Sequence, residues 1–136
     1  MKLKLLLFLF SFGISTSVSA EIVLYCNSEL ATGFIKENGI YGTTDFELKR
    51  YTIKFDDDYS RVKGLNEYSW KCKDAFGNKE LSTVICSNFF NNGELFTYNK
   101  KTKRFSYYSG GVFGFIKGNN VGNDTTQMYA GTCEKF

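Results

Sequence analysis

The sequence predicts an all-β protein, a small antiparallel up-and-down barrel of about eight strands that is held by two disulfides. After residue 20, apolar and polar residues alternate with a period of two, the spacing of a strand with one buried face. Turn-forming Gly, Asn, Asp and Ser recur at short intervals, and the chain contains no proline. No ten-residue stretch has the 3.6-residue period of an amphipathic helix. A two-sheet β-sandwich is the alternative arrangement of the same strands.

The first twenty residues have the pattern of an export signal. Lys2 and Lys4 precede an apolar run over 5–14, and small residues follow up to Ala20. The apolar run is about half of the roughly 20 residues that a transmembrane helix needs. We therefore expect residues 1–20 to be a signal peptide and residues 21–136 to be a single antiparallel β domain. Its expected location is the periplasm, with secretion as the alternative and no membrane span after cleavage.

The overall positive charge depends largely on the expected signal. The chain has 17 Lys and Arg against 14 Asp and Glu, and two of those lysines lie within residues 1–20. Residues 21–136 therefore carry 15 basic against 14 acidic residues. Nucleic-acid binding needs a basic surface that neutralises phosphates. We accordingly expect no nucleic-acid partner, although Phe113-Gly114-Phe115-Ile116 resembles half of an RNA-binding aromatic motif.

The first strands are defined by parity and by one turn signal. The apolar residues of 22–26 share one face, and Asn38-Gly39 is the dipeptide preferred in two-residue hairpin turns. Over 46–55 the apolar parity slips at Lys49-Arg50, which predicts one longer strand with a β-bulge at that point. Asp56-Asp57-Asp58 is expected to end this strand.

Shorter strands separated by tight turns are expected in the rest of the chain. Gly- and Asn-containing turns divide this part into segments of alternating polarity. The predicted strands are 68–72, 81–90, 95–98, 104–108, 112–117 and 125–133.

Four cysteines in an exported chain predict two disulfides, for which three pairings are possible. Cys72 and Cys86 flank a turn signal at 76–79, so they could face each other across one hairpin. Cys26 and Cys133 lie near the two ends of the domain, on the apolar faces of the first and last strands. Parity therefore favours Cys26–Cys133 with Cys72–Cys86. A clamp between the first and last strands favours a closed barrel, because closure makes these strands neighbours.

Catalysis is disfavoured by the residue types present, and no catalytic residue, metal site or cofactor is predicted. Without histidine, the Ser-His and Cys-His nucleophile pairs cannot form, and disulfide-bonded cysteines are neither nucleophiles nor metal ligands. The acidic run at 56–58 lacks the ligand spacing of a calcium loop. If the protein is an enzyme after all, the alternative function is that of a small hydrolase with an Asp/Glu pair, because this chemistry needs only two suitably spaced carboxylates.

The strand over 104–108 supplies the candidate binding residues. If Phe105 and Tyr107 face the core, Arg104 and Tyr108 face solvent, and Lys117 of the next predicted strand joins their rim. Tyr and Arg are the residue types that interface hot spots favour. The sequence therefore predicts a monomeric, non-catalytic periplasmic barrel that binds a protein, an envelope polymer or a small ligand.

The general format resembles the periplasmic lysozyme inhibitors of the membrane-bound C-type class. Those proteins are small exported β-barrels with a Tyr and a Cys soon after the signal, here Tyr25-Cys26, and a Cys near the C-terminus, here Cys133. The resemblance covers the two ends of the chain only. The Ser-Gly-rich inhibitory loop has no specific counterpart, since Ser109-Gly110-Gly111 is a generic turn sequence. The resemblance implies a lysozyme-inhibitor-like periplasmic protein as an alternative function.

Overall fold

The structure is a computed structural model that describes residues 20–38, 40–88, 93–110 and 125–136. These residues form nine antiparallel strands in one sheet and two single-turn 3-10 helices, Ala75–Gly77 and Lys79–Leu81. The strands are β1 Ile22–Glu37, β2 Ile40–Asp45, β3 Arg50–Phe55, β4 Arg61–Lys63, β5 Trp70–Asp74, β6 Thr83–Ser87, β7 Leu95–Asn99, β8 Arg104–Gly110 and β9 Thr126–Lys135. Within the described residues, no helix is long and apolar enough to cross a membrane.

Eight of the strands close into a barrel in the order β1-β3-β4-β5-β6-β7-β8-β9, with β9 pairing back onto β1. The predicted up-and-down barrel is thereby confirmed, and the sandwich alternative is wrong. Strand β1 is long because it has two neighbours on one edge. Residues 22–27 pair with β3, whereas residues 32–37 pair with β2, the extra strand outside the barrel ring.

The first hairpin follows the predicted turn chemistry. Glu37 is opposite Ile40, so the connection between β1 and β2 is two residues long; its second residue, Gly39, lies outside the described residues. Asn38 has a φ of 50°, in the left-handed region that this turn requires and that Asn tolerates.

The predicted single strand over 46–55, with a bulge at Lys49-Arg50, is wrong. Residues 46–49 are a connection between β2 and β3, tied to β1 by backbone hydrogen bonds from Phe46 N to Ala31 O and from Ser28 N to Lys49 O, both 2.9 Å. The irregular register lies in β1 instead, between Ser28 and Leu30. The extra residue there keeps both Ser28 and Ala31 buried as β1 passes from its β3 neighbour to its β2 neighbour.

Other boundaries differ for local reasons. Strand β4 was not predicted, because three residues are too few to show alternation. The strand predicted over 81–90 is β6, which begins at Thr83 after a 3-10 turn, and the strand predicted over 68–72 begins at Trp70. Strand β8 continues to Gly110, beyond its predicted end. The predicted strand 112–117, with Lys117, lies outside the described residues.

Both predicted disulfides are present. Cys26 is opposite Cys133 on β1 and β9, and Cys72 is opposite Cys86 on β5 and β6. Cys26, Cys86 and Cys133 are at most 2% exposed, so each bridge crosses between strands inside the barrel.

Aromatic side chains fill much of the barrel interior. Tyr51 makes edge contacts with Tyr107 and Tyr129, and Phe55 stacks on Tyr98 with ring centroids 5.7 Å apart. The buried apolar residues are Leu24, Cys26, Ala31, Tyr51, Ile53, Phe55, Val62, Trp70, Ala75, Val84, Cys86, Phe96, Tyr98, Phe105, Tyr107, Tyr129 and Cys133.

Candidate functional site

The outer face of β8 carries Tyr108, one of the binding residues predicted from the sequence. Phe105 and Tyr107 are buried, whereas Arg104 and Tyr108 are exposed on the opposite face. The alternation predicted for this strand is therefore correct, and Tyr108 belongs to the outer surface of the barrel.

Strand register places Tyr108 in the middle of a row of exposed apolar side chains. Tyr108 is opposite Leu95 on β7 and opposite Met128 on β9. Met128 is flanked diagonally by Leu30 and Phe34 of β1, since their direct partners on β9 are Ala130 and Thr126. Facing and diagonal neighbours on one sheet face are close enough for large side chains to touch. We call these five residues the apolar strip: Leu30, Phe34, Leu95, Tyr108 and Met128.

The strip is open to solvent over four neighbouring strands. Leu30 is 66% exposed, Met128 51% and Phe34 46%. From strand spacing and rise, the strip covers on the order of 300 Å². This is about the size at which the largest apolar patch of a monomer is often functional.

A glycine allows the position of Tyr108. Gly110 is two residues further along the same face, and it is buried although it faces outward. A Cβ atom at Gly110 would lie 2.5 Å from the Tyr108 Oη and 2.7 Å from its Cε1. The tyrosine therefore occupies the space that a side chain at Gly110 would need.

Arg104 lies at the rim of the strip. Its guanidinium forms an ion pair with Glu29 at 3.8 Å, and both side chains are at least half exposed. Glu29 also accepts a 2.8 Å hydrogen bond from Thr132 Oγ1. Ser106 separates Arg104 from Tyr108 on the same face, so the two predicted binding residues are not direct neighbours.

Most residues of the strip could not be recognised as neighbours from the sequence. Leu30, Phe34 and Met128 lie far from Tyr108 in sequence and come together only through the β1–β9 and β8–β9 pairings. The sequence did contain one sign of an exposed apolar surface. In two strands, apolar residues occupy outward positions as well as the inward positions that face the core. Lys117, the third predicted binding residue, lies outside the described residues.

A network of polar side chains at one end of the barrel converges on Glu94. Glu94 accepts hydrogen bonds from the Tyr107 hydroxyl at 2.7 Å, from Asn66 Nδ2 at 3.0 Å and from Ser109 Oγ at 3.3 Å. Asn66 in turn accepts from the Trp70 indole at 2.9 Å. Burial and the Glu94 hydrogen bond raise the pKa of Tyr107 above its usual value. Among the described residues, the hydrogen-bond partners of Glu94 are hydroxyl and amide groups.

The acidic run after β3 forms a turn. Asp56 O accepts a hydrogen bond from Tyr59 N at 2.9 Å, and Asp58 Oδ1 accepts one from Ser60 N at 2.9 Å. Hydrogen bonds from Ser60 lower the pKa of Asp58. Across the described part of the chain, no group of three or more His, Cys, Asp or Glu side chains is placed to hold a metal ion.

Comparison with known proteins adds no relative: no family model, no curated protein and no solved structure matches this chain.

Proposed function

We propose that this chain is an exported, non-catalytic barrel that acts in the periplasm by binding another protein through the apolar strip. The observation that carries the proposal is the exposed row of Leu95, Tyr108 and Met128, extended by Leu30 and Phe34 on β1. Two buried disulfides suit an oxidising compartment, because such bridges form and persist outside the cytosol.

A protein partner suits the strip better than a small ligand does. Small apolar ligands bind in concave sites that bury most of their surface, whereas the strip lies on the convex outer face and the barrel interior is occupied by core side chains. A stable interface covers roughly 800 Å² on each partner. At on the order of 300 Å², the strip has the size of an interface's apolar centre, with Arg104, Glu29 and Thr132 as part of a polar rim.

The first experiment tests the strip with a photo-cross-linking side chain at position 128 in the native host. We expect one specific cross-linked product, and we expect Leu30→Glu to remove it, because a charge would be buried at the centre of the interface. Thr52, which is exposed on β3, two strands away from Met128 in the ring, is the control position for the cross-linker. Leu81→Glu is the matched control variant, since Leu81 is a 46% exposed leucine outside the strip.

Two results would refute the strip proposal. A product of twice the chain's own mass would make the strip an interface between copies. Equal cross-linking from positions 128 and 52, or an equal loss in Leu81→Glu, would show that the strip has no specific role. Unchanged melting temperatures of the variants ensure that lost binding is not lost folding.

Export is tested by fractionation and intact mass. We expect the protein in the periplasmic fraction, beginning at Glu21, because Val18 and Ala20 provide small residues at the −3 and −1 positions of the cleavage site. A retained leader or a cytoplasmic location would contradict this part of the proposal.

Inhibition of a C-type lysozyme is a second candidate function, supported by the Cys26–Cys133 clamp that closes the small barrel. A turbidity assay of cell-wall lysis tests it directly. Stoichiometric inhibition by the disulfide-bonded protein would support this candidate. Full lysozyme activity at a large excess of the protein would refute it.

A further inference from the structure

The barrel wall formed by β3, β4 and β5 presents a concentration of positive charge that the sequence does not make obvious. Inward residues of these strands are apolar and buried, as at Ile53, Val62 and Trp70. Their outward neighbours are largely basic, and all of these basic side chains are exposed. We call these six residues the basic wall: Arg50, Lys54, Arg61, Lys63, Lys71 and Lys73.

Strand pairing brings like charges face to face in the basic wall. Lys54 is directly opposite Lys63, and Arg61 is directly opposite Lys71. Like charges at facing positions of a sheet are destabilising, so this arrangement is unfavourable for the isolated domain. It becomes favourable when an anion neutralises both members of each pair.

Few acidic groups compensate the basic wall. In the part of the chain that the structure describes, Lys54 with Glu21, at 3.5 Å, is the only ion pair that a wall residue makes. Asp56 borders the wall through a backbone hydrogen bond from its N to Arg61 O, at 3.2 Å, but its carboxylate forms no ion pair with Arg61. The wall is therefore strongly positive although residues 21–136 as a whole are nearly neutral.

The densest basic run of the sequence, 100–104, behaves differently. Lys100 pairs with Asp74 at 3.4 Å and lies over the ring of Tyr59, and Lys103 Nζ donates to Lys100 O at 2.7 Å. Arg104 pairs with Glu29. Three cations of this run are thus engaged within the protein, whereas most of the basic wall is not.

We propose that the basic wall binds a linear anionic polysaccharide. Its charges are about 5 Å apart across strands and about 7 Å apart along them, so an extended polymer can meet several cations at once. Single-stranded nucleic acids are bound by rows of aromatic side chains on which successive bases stack. No outward position of β3, β4 or β5 carries an aromatic residue, and the neighbouring Tyr25, opposite Thr52, packs edge-on against Phe136. Peripheral membrane binding needs an apolar face as well as cations, and the outward positions of the wall are basic or, at Thr52, polar.

The centres of the wall and of the apolar strip lie on opposite sides of the barrel ring. In the ring of eight strands, β4 at the centre of the wall is four strands away from β8, which carries Tyr108. A protein on the strip and a polymer on the wall would therefore not compete for space. The chain could attach a partner protein to an anionic polymer, and each site can be tested without disturbing the other.

Binding to heparin, a sulfated polysaccharide, measured by titration at several salt concentrations, is the test. The wall variant is Lys63→Gln with Lys71→Gln, which relieves both facing like-charge pairs and should not impair folding. The control is Lys101→Gln with Lys135→Gln, which removes the same charge from exposed positions outside the wall. We expect the wall variant to lose at least about tenfold in affinity and its salt slope to fall by about two, one for each cation removed.

Several outcomes would overturn the polysaccharide proposal. The first is that the natural protein does not bind heparin at low salt, and the second is that the control variant loses as much heparin affinity as the wall variant. The third is tighter binding to duplex DNA of matched charge, or to phosphatidylglycerol vesicles, than to heparin. Retained heparin binding by Tyr108→Glu is expected, because Tyr108 is on β8, four strands away from β4 at the centre of the wall. Its loss with an unchanged melting temperature would contradict the separation of the two sites.

Discussion

Removing the bridge between the first and last strands should cost more stability than removing the bridge within the β5–β6 hairpin. The perturbation is Cys26→Ala with Cys133→Ala, compared with Cys72→Ala with Cys86→Ala. The first pair closes a loop with a sequence separation of 107, and the second closes one of 14. In the chain-entropy model these loops contribute about 4.8 and about 3.0 kcal/mol. The expected difference in the free energy of unfolding is therefore about 1.8 kcal/mol.

Packing should change this difference little, because both bridges lie inside the barrel and both variants remove two sulfur atoms. Cys26 and Cys133 are 1% and 2% exposed and Cys86 is fully buried, while Cys72 is partly exposed. The small loss of packing at Cys72 acts in the same direction as loop length. For a domain of this size, about 1.8 kcal/mol corresponds to a difference of roughly 7 °C in melting temperature.

Urea unfolding at 25 °C, with both variants and the natural protein measured together, gives the free energies directly. The slope against urea should rise more for the variant without the long bridge, because its unfolded chain exposes more surface. An equal or larger loss in the Cys72/Cys86 variant would refute the reasoning. It would show that loop closure does not dominate the contribution of these bridges.

Two further predictions concern the buried tyrosines. Tyr51→Phe should change the free energy of unfolding by less than about 1 kcal/mol, because the buried Tyr51 hydroxyl has no hydrogen-bond partner among the described residues. Tyr107→Phe should lower it by about 1–2 kcal/mol, because the hydrogen bond to Glu94 is lost. Urea unfolding of both variants measures this difference, and equal losses would contradict it. Burial, with a smaller effect of Tyr59, raises the pKa of Tyr98 from 10.0 to about 12, and the folded protein therefore holds this proton at pH values where the unfolded chain has lost it. Stability should accordingly fall as the pH rises from about 10 towards 12, which chemical unfolding with tyrosinate absorbance would show, and stability that stays constant over this interval would be inconsistent with a buried neutral Tyr98.

The parts of the fold that the sequence predicted correctly depend on neighbours in the chain. Alternation identifies which face of β8 is buried, because residues two apart share a face. The turn that begins at Asn38 depends on the backbone preference of that residue for the left-handed region. The cysteine pairing could be predicted because Cys72 and Cys86 flank one turn, which left Cys26 and Cys133 for the strands that close the barrel.

The errors concern places where distant parts of the chain decide the local structure. The bulge was expected at Lys49-Arg50, but it lies in β1, where that strand changes its neighbour from β3 to β2. Strand β4 was not predicted because only its pairing with β3 and β5 makes three residues a strand.

The sequence by itself determined an all-β domain with two disulfides, and it determined which side of β8, and of β1 up to its bulge, faces the core. Burial of apolar side chains at every second position is a local rule, so the sequence contains it. Only the tertiary structure decided which outward residues lie side by side. Met128 joins Tyr108, and Lys54 faces Lys63, through strand register, which depends on hydrogen bonds and core packing between strands and not on the alternation within one strand. Both proposed binding surfaces consist of such neighbours, and for that reason neither could be predicted in full before the barrel was known.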